Sequence, residues 1–184
     1  MKALLALFLF TALAAGAQPA QIILLRHAEK PDDPLATHLS PRGEERARAL
    51  VSLLGRNSRL TSNAPIAALY AARVTRHGHS YRSGETLAPL AADLGLKVQE
   101  PYENEQYSLL ARDIRGNRAY QGKTVVICWT HHNIDDLAAA FGVKPRPSEW
   151  KDKTFDRLWL LSPGAHGFDL KDVPQHLLKG DSKH

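Results

Sequence analysis

The chain has 184 residues, with 24 Lys and Arg against 19 Asp and Glu, a net charge of +5, and a single cysteine. The modest basic excess suits anionic ligands, but no Lys/Arg run interleaved with aromatics marks a nucleic-acid groove. One cysteine excludes an internal disulfide, and Cys128, set in an apolar run, reads as a buried structural thiol.

The first element is a leader. Lys2 precedes the apolar run 3–10, and Ala15-Gly16-Ala17 fits the small-x-small pattern that signal peptidases accept, so cleavage is predicted before Gln18. The run falls short of the about 20 apolar residues that span a bilayer, and no cysteine near the cleavage point offers a lipid anchor. The expected product is an exported protein, periplasmic or secreted, without a stable membrane anchor. Residues 18–184 suffice for one domain with its own core.

Apolar runs without alternation then punctuate the chain: Ile22-Ile23-Leu24-Leu25, Ala67-Ala68-Leu69-Tyr70, Thr124-Val125-Val126-Ile127-Cys128 and Leu158-Trp159-Leu160-Leu161. Such runs suggest strands buried on both faces. Between them, apolar residues recur at helical spacing in Ala47/Leu50/Val51/Leu54, Leu87/Leu90/Ala91/Leu94, Tyr107/Leu110/Ala111/Ile114 and Ile134/Leu137/Ala138/Phe141. Ser40-Pro41 supplies an N-cap and first residue for the first helix. Gly55, Gly95, Gly116 and Gly142 stand where left-handed C-caps are wanted. The alternation predicts a single-domain, three-layer α/β/α sandwich around a mostly parallel central sheet. The stretch after Pro163, rich in glycine, reads as loop and fraying tail.

Chemistry-bearing residues fall at strand ends. The first strand runs into Arg26-His27-Ala28-Glu29-Lys30, and the third into Trp129-Thr130-His131-His132-Asn133. Groups just beyond the carboxyl ends of strands face the ligand crevice of an α/β sheet. A neutral histidine there is a competent nucleophile, and a guanidinium beside it is a forked donor for phosphoryl oxygens. Arg82, in Ser80-Tyr81-Arg82-Ser83-Gly84-Glu85-Thr86, stands near the start of the second helix, where backbone N–H groups favour an anion.

These segments together resemble the histidine phosphatase superfamily, also called phosphoglycerate mutase-like. Leu25-Arg26-His27-Ala28-Glu29 is similar to its RHxE opening, and Leu39-Ser40-Pro41-Arg42-Gly43 to its L-S/T-x-x-G helix start. Tyr70-Ala71-Ala72, followed by the Arg82 to Ala91 segment, resembles its second-arginine block, and Val125 to Ile134 its second-histidine strand. The resemblance implies a phosphatase in which His27 becomes the phosphohistidine while Arg26, Arg82 and His131 bind the phosphoryl oxygens. It implies no cofactor, and as substrate a small phosphorylated molecule or a phosphoprotein.

Two features depart from the family pattern. The segment 73–81 is longer than usual and carries Arg73, Arg76, His77 and His79, so Arg73 and Arg76 compete with Arg82 for the second-arginine place. Trp129-Thr130 replaces the small residues usual before the second histidine. For the general acid, Glu100, Glu103 and Glu105 occupy the region where mutase-like members carry a glutamate, with Glu103 and Glu105 favoured. No metal site is expected, because adjacent histidines such as His131 and His132 point to opposite faces of an extended backbone. A phosphate- or phosphoester-binding protein without turnover and a phosphomutase remain alternative readings.

Overall fold

The computed structural model describes residues 18–75 and 80–182. The predicted leader, Arg76, His77, His79 and His184 lie outside the described residues.

Six strands form one sheet in the order β3-β2-β4-β1-β5-β6. They are β1 (Gln21–Arg26), β2 (Ile66–Ala71), β3 (Val98–Gln99), β4 (Thr124–Trp129), β5 (Arg157–Gly164) and β6 (Gly167–Pro174). β3, β2, β4 and β1 run parallel, whereas β5 pairs antiparallel with β1, and β6 antiparallel with β5. Helices α1 (Pro41–Leu54), α2 (Arg82–Leu94), α3 (Tyr107–Gly116) and α4 (Ile134–Ala140) supply the outer layers.

Both faces of the sheet are covered because the strands are apolar on both. Ile23 and Leu25 of β1 join Val126 and Cys128 of β4 against Leu50 and Leu54 of α1 and Leu87 and Leu90 of α2. Ile22 and Leu24 point the other way and join Val125 and Ile127 against Leu110 and Ile114 of α3 and Leu137 of α4. Alternation of side chains along a strand produces these two cores from a continuous apolar run. The architecture is the expected three-layer α/β/α sandwich. No helix among the described residues is long and apolar enough to cross a membrane.

Several local expectations hold for identifiable reasons. Ser40 caps α1, its hydroxyl accepting from the Gly43 N–H at 3.1 Å, with Pro41 in the first turn. Gly43 allows α1 to press on the loop after β1: a Cβ there would stand 2.3 Å from the Glu29 carbonyl oxygen. Burial pushes the Cys128 thiol up to about 12, as befits a structural sulfur.

Others are corrected. Among the four C-terminal glycines, Gly95 and Gly142 adopt positive φ (70° and 96°). Gly55 is extended at φ −68° and ψ −172°, and Gly116 is the last residue of α3 itself. The stretch after Pro163 is a strand: Gly164 and Gly167 make the turn of a β-hairpin that sends β6 back along β5. Phe168 then packs inward while Asp169 and Lys171 face solvent. The tail does not fray through Ser182. Arg46, buried in α1, donates to both Asp181 oxygens (2.7 and 3.0 Å), and the Ser182 hydroxyl donates to Asp156 at 2.6 Å.

Candidate active site

β1 and β4 are adjacent and parallel with Arg26 level with Trp129, so Arg26-His27 and Thr130-His131 leave the sheet at the same edge. The His27 N–H donates to the Trp129 carbonyl at 3.3 Å, extending the ladder one step beyond the strands.

His27 is buried, at 3% exposure. Its Nδ1 lies 2.7 Å from the Ala28 carbonyl oxygen. A carbonyl only accepts, so Nδ1 carries the proton and Nε2 of the neutral ring carries the lone pair. Burial, with help from the charges of Arg26, Arg82 and His131, pulls the imidazole down to about 3. The ring is therefore neutral across the physiological range, as a nucleophile must be.

Ala28 is held in turn. Its N–H donates to the Thr86 hydroxyl at 2.9 Å, and that hydroxyl donates to the Arg82 carbonyl at 2.7 Å, tying the loop after β1 to the first turn of α2. Glu85 accepts from the Leu39 N–H at 2.9 Å. Glu29 binds Arg46 at 2.8 Å and Arg42 at 3.2 Å. The Arg26–Glu29 and Arg82–Thr86 segments thus supply both the candidate groups and the braces that hold them.

Arg26 is 1% exposed and sits over the Phe155 ring, its guanidinium carbon 4.2 Å from the centroid. Nη1 donates to the Asp152 carbonyl and Nη2 to Asp152 Oδ1 at 3.1 Å. Arg82 donates from Nη2 to the Ala36 carbonyl at 2.8 Å. Burial lowers the pKa of both guanidinium groups, so each is a cation short of solvation. Arg73 also binds backbone, its guanidinium donating to the Glu100 and Pro101 carbonyls, and it lines the cleft beside His132.

His131 Nε2 stands 3.2 Å from Asp152 Oδ1. Burial above all, then Arg26 and His132, takes the imidazole down to about 4. Among the described residues, three nitrogens of this cluster are buried without a partner: Arg26 Nε, Arg82 Nε and His131 Nδ1. Buried polar nitrogens left unpaired are costly, and these three stand on the groups that act electrostatically on His27.

His132 differs from expectation. Residues 131–133 form a turn rather than an extended strand, so the two imidazoles lie on the same side, with centroids 3.8 Å apart. His132 lines a cleft of about 620 Å³ with Arg73, Ser83, Glu103, Glu105 and Thr130. Glu103 and Glu105 thus both face this cleft beside the histidine cluster. The Glu103 side chain also caps the short 3₁₀ turn Asn104–Gln106, which Asn104 fastens to the strand end by accepting from the Trp129 indole at 3.1 Å. Glu100 packs outside this cleft lining, its carboxyl beside Gly84, and burial raises its pKa.

Asp152 was not legible as a site residue. Its carboxylate meets Arg26 (3.1 Å), His131 (3.2 Å) and Lys30 (3.5 Å), all through Oδ1. The signal that would have found it is the direction of β5. An antiparallel β5 begins where β1 and β4 end, which delivers the segment before Arg157 to the same sheet edge.

A scan against protein-family profiles finds no match, and a search of curated proteins finds none either. Solved structures do match. A phosphoserine phosphatase from Entamoeba histolytica in complex with 3-phosphoglyceric acid superposes with a TM-score of 0.56 at 13% identity, covering 86% of this chain and 99% of that one. A protein assigned as the phosphohistidine phosphatase SixA from Nakamurella multipartitia gives 0.53 at 15% identity, covering 86% and 96%. A mycobacterial glucosyl-3-phosphoglycerate phosphatase gives 0.51 at 15% identity, covering 84% and 97%. At such identities the likeness is one of backbone architecture, and it extends over nearly the whole of each of those chains. The chain has the phosphoglycerate mutase-like fold that these three phosphatases share.

Proposed function

We propose that this protein is a phosphatase that hydrolyses a phosphomonoester or phosphohistidine through a covalent phosphohistidine on His27. The observation that carries this reading is the set of three buried nitrogens on Arg26, Arg82 and His131 that have no partner among the described residues, grouped around a neutral imidazole whose Nε2 holds a lone pair. A tetrahedral anion can be met from several sides at once by the two guanidinium groups and by His131 when its ring is protonated.

In the first half-reaction His27 Nε2 attacks phosphorus, the P–O or P–N bond to the leaving group breaks, and the leaving group departs with a proton. In the second, water attacks the phosphorus, the bond to Nε2 breaks, and inorganic phosphate leaves with His27 neutral again. The guanidinium groups hold the equatorial oxygens in both steps, where preorganised charge acts most strongly on the transition state. Glu103 and Glu105, on the cleft wall, are the candidates to supply the leaving-group proton. The positive charge comes from side chains, so no metal is required. The leader at residues 1–17 is the basis for locating the activity outside the cytoplasm.

The test is a hydrolysis panel on the purified protein with phosphohistidine and small phosphoesters, in the presence and absence of EDTA. Turnover that survives EDTA is expected. Tight phosphate binding without turnover would favour a binding protein instead, and recovery of activity only with an added divalent ion would overturn the metal-free mechanism. Mass spectrometry of the natively expressed protein should find Gln18 at its start.

A further inference from the structure

We propose that Asp152 is a positioning residue of this site: its carboxylate holds the Nε2 side of His131, so that Nδ1 faces the phosphoryl oxygens and donates to them once the ring is protonated. The inference rests on the phosphatase reading above and adds to it a residue outside the Arg26, His27, Arg82 and His131 set.

The geometry has three parts. His131 Nε2 lies 3.2 Å from Asp152 Oδ1, at ion-pair distance, and because a carboxylate only accepts, it favours a proton on that nitrogen. The other ring nitrogen, Nδ1, is buried and has no partner among the described residues. Asp152 itself is held firmly: Arg26 donates to its carbonyl and to its side chain, and Lys30 lies 3.5 Å from Oδ1. The turn that carries it is pinned by the Thr154 N–H to the Lys151 carbonyl at 3.0 Å and by the Trp150 indole to the Thr154 carbonyl at 2.8 Å. Trp150 is 3% exposed, and its ring lies 4.8 Å from that of Trp159 in β5.

The electrostatics give the carboxylate a task. Arg26 from β1, Lys30 in the loop after it, and His132 in the same turn all oppose a charge on His131, whereas Asp152 favours one. His27 faces the same cluster, and the cleft on the other side carries Glu103, Glu105 and Arg73. Partial burial pushes the Asp152 carboxyl up, but the Arg26 hydrogen bond and the charges of Lys30, Arg26 and His131 together hold it low, so it is anionic at working pH. When a phosphoryl dianion binds, His131 has an anion at each nitrogen, and an imidazolium bridging the two is the arrangement that satisfies both. A carboxylate behind a histidine sets its tautomer and supports its charge in this way.

A different role for the same contacts is that of a plug, with Oδ1 filling the place of a phosphoryl oxygen until substrate expels it. The two roles give opposite signs. The Asp152→Asn variant keeps an oxygen that can accept from Arg26 and loses the charge. Steady-state kinetics with p-nitrophenyl phosphate across pH, and inhibition by inorganic phosphate, are measured on the full chain. The positioning role predicts at least a tenfold fall in kcat, weaker phosphate inhibition, and an alkaline limb of the kcat profile moved to lower pH by about one unit, the smallest shift usual for loss of a neighbouring charge. Asp152→Glu should restore the limb. A plug predicts lower KM and tighter phosphate inhibition with kcat unchanged, and that result, or an unmoved alkaline limb, overturns the proposal. If Asp152→Asn does not fold by circular dichroism, Asp152→Ser carries the same comparison. Failure of the wild-type protein to hydrolyse any phosphoester sinks the phosphatase reading alone; phosphate affinity, measured by calorimetry, still decides the role of Asp152, falling in the variant if it positions His131 and rising if it is a plug.

Discussion

The Nδ1 nitrogen of His27 lies 2.7 Å from the carbonyl oxygen of Ala28, its neighbour in the chain. That contact determines which nitrogen is free to react. The phosphoenzyme should therefore be the Nε2 isomer of phosphohistidine, acid-labile and base-stable. Rapid quenching without acid, followed by isomer-specific detection, checks this, and His27→Ala should lose both label and turnover. Label on Nδ1, or normal hydrolysis by His27→Ala, would refute the assignment.

Arg82 reaches the site from the start of α2, with one nitrogen spent on the Ala36 carbonyl at 2.8 Å and Nε buried without a partner among the described residues. Removing one preorganised donor from a charged transition state usually costs about 100- to 1,000-fold in kcat, and Arg82→Ala should fall in that range. Arg82→Lys should recover little, because a lysine has no second nitrogen to hold Ala36 while it binds the substrate. Single-turnover kinetics separate this loss from any change in binding.

Glu105 faces the cleft, whereas the Glu103 side chain is partly committed to capping the turn at Asn104–Gln106. Glu105→Gln should slow an alkyl phosphate, which needs a proton on its departing oxygen, by about 100-fold, the usual scale of general-acid help. It should leave p-nitrophenyl phosphate nearly unaffected, since that leaving group departs as an anion. Equal losses on both substrates would move the role away from Glu105.

Burial pushes the Asp181 carboxyl up, but the Arg46 hydrogen bonds and the backbone N–H groups of Leu177 and Leu178 outweigh it and hold it at about 2. The folded value is below the unfolded one of about 3.9, so this stabilisation is complete above that value and disappears as the pH falls toward the folded value. Asp181→Asn removes one anion from Arg46 while Glu29 still meets it at 2.8 Å, and a fall from about 3.9 to about 2 is worth about 2–3 kcal/mol at neutral pH. Thermal unfolding followed as a function of pH should show the wild type and variant converging in acid. A gap that persists undiminished there would assign the loss to packing.

The sequence carried the strands of the central sheet well, because β1 and β4 must be apolar on both faces and therefore announce themselves as unbroken runs. Their carboxyl ends located His27 and His131 for the same reason. β6 escaped because Phe168 and Leu170 alternate with Asp169 and Lys171, and its two flanking glycines read as loop rather than as one tight turn. Asp152 escaped because no local pattern reports the direction in which a strand enters a sheet. The placement of His132 turned on backbone geometry at three residues: an extended segment separates neighbouring side chains, whereas the turn at 131–133 brings the two rings together.

The order of the strands also bears on how the molecule behaves among copies of itself. An unpaired sheet edge offers backbone donors and acceptors to any extended chain that meets it. One edge here is β3, only two residues long. The other is β6, which bears Lys171 and Asp172 exposed and closes in Pro174, a residue without an N–H to donate. The shortness of β3 and the charges and terminal proline of β6 both disfavour growth by strand addition at the two borders. A protein with no disulfide to hold it together thereby resists clumping through the shape of its outermost strands.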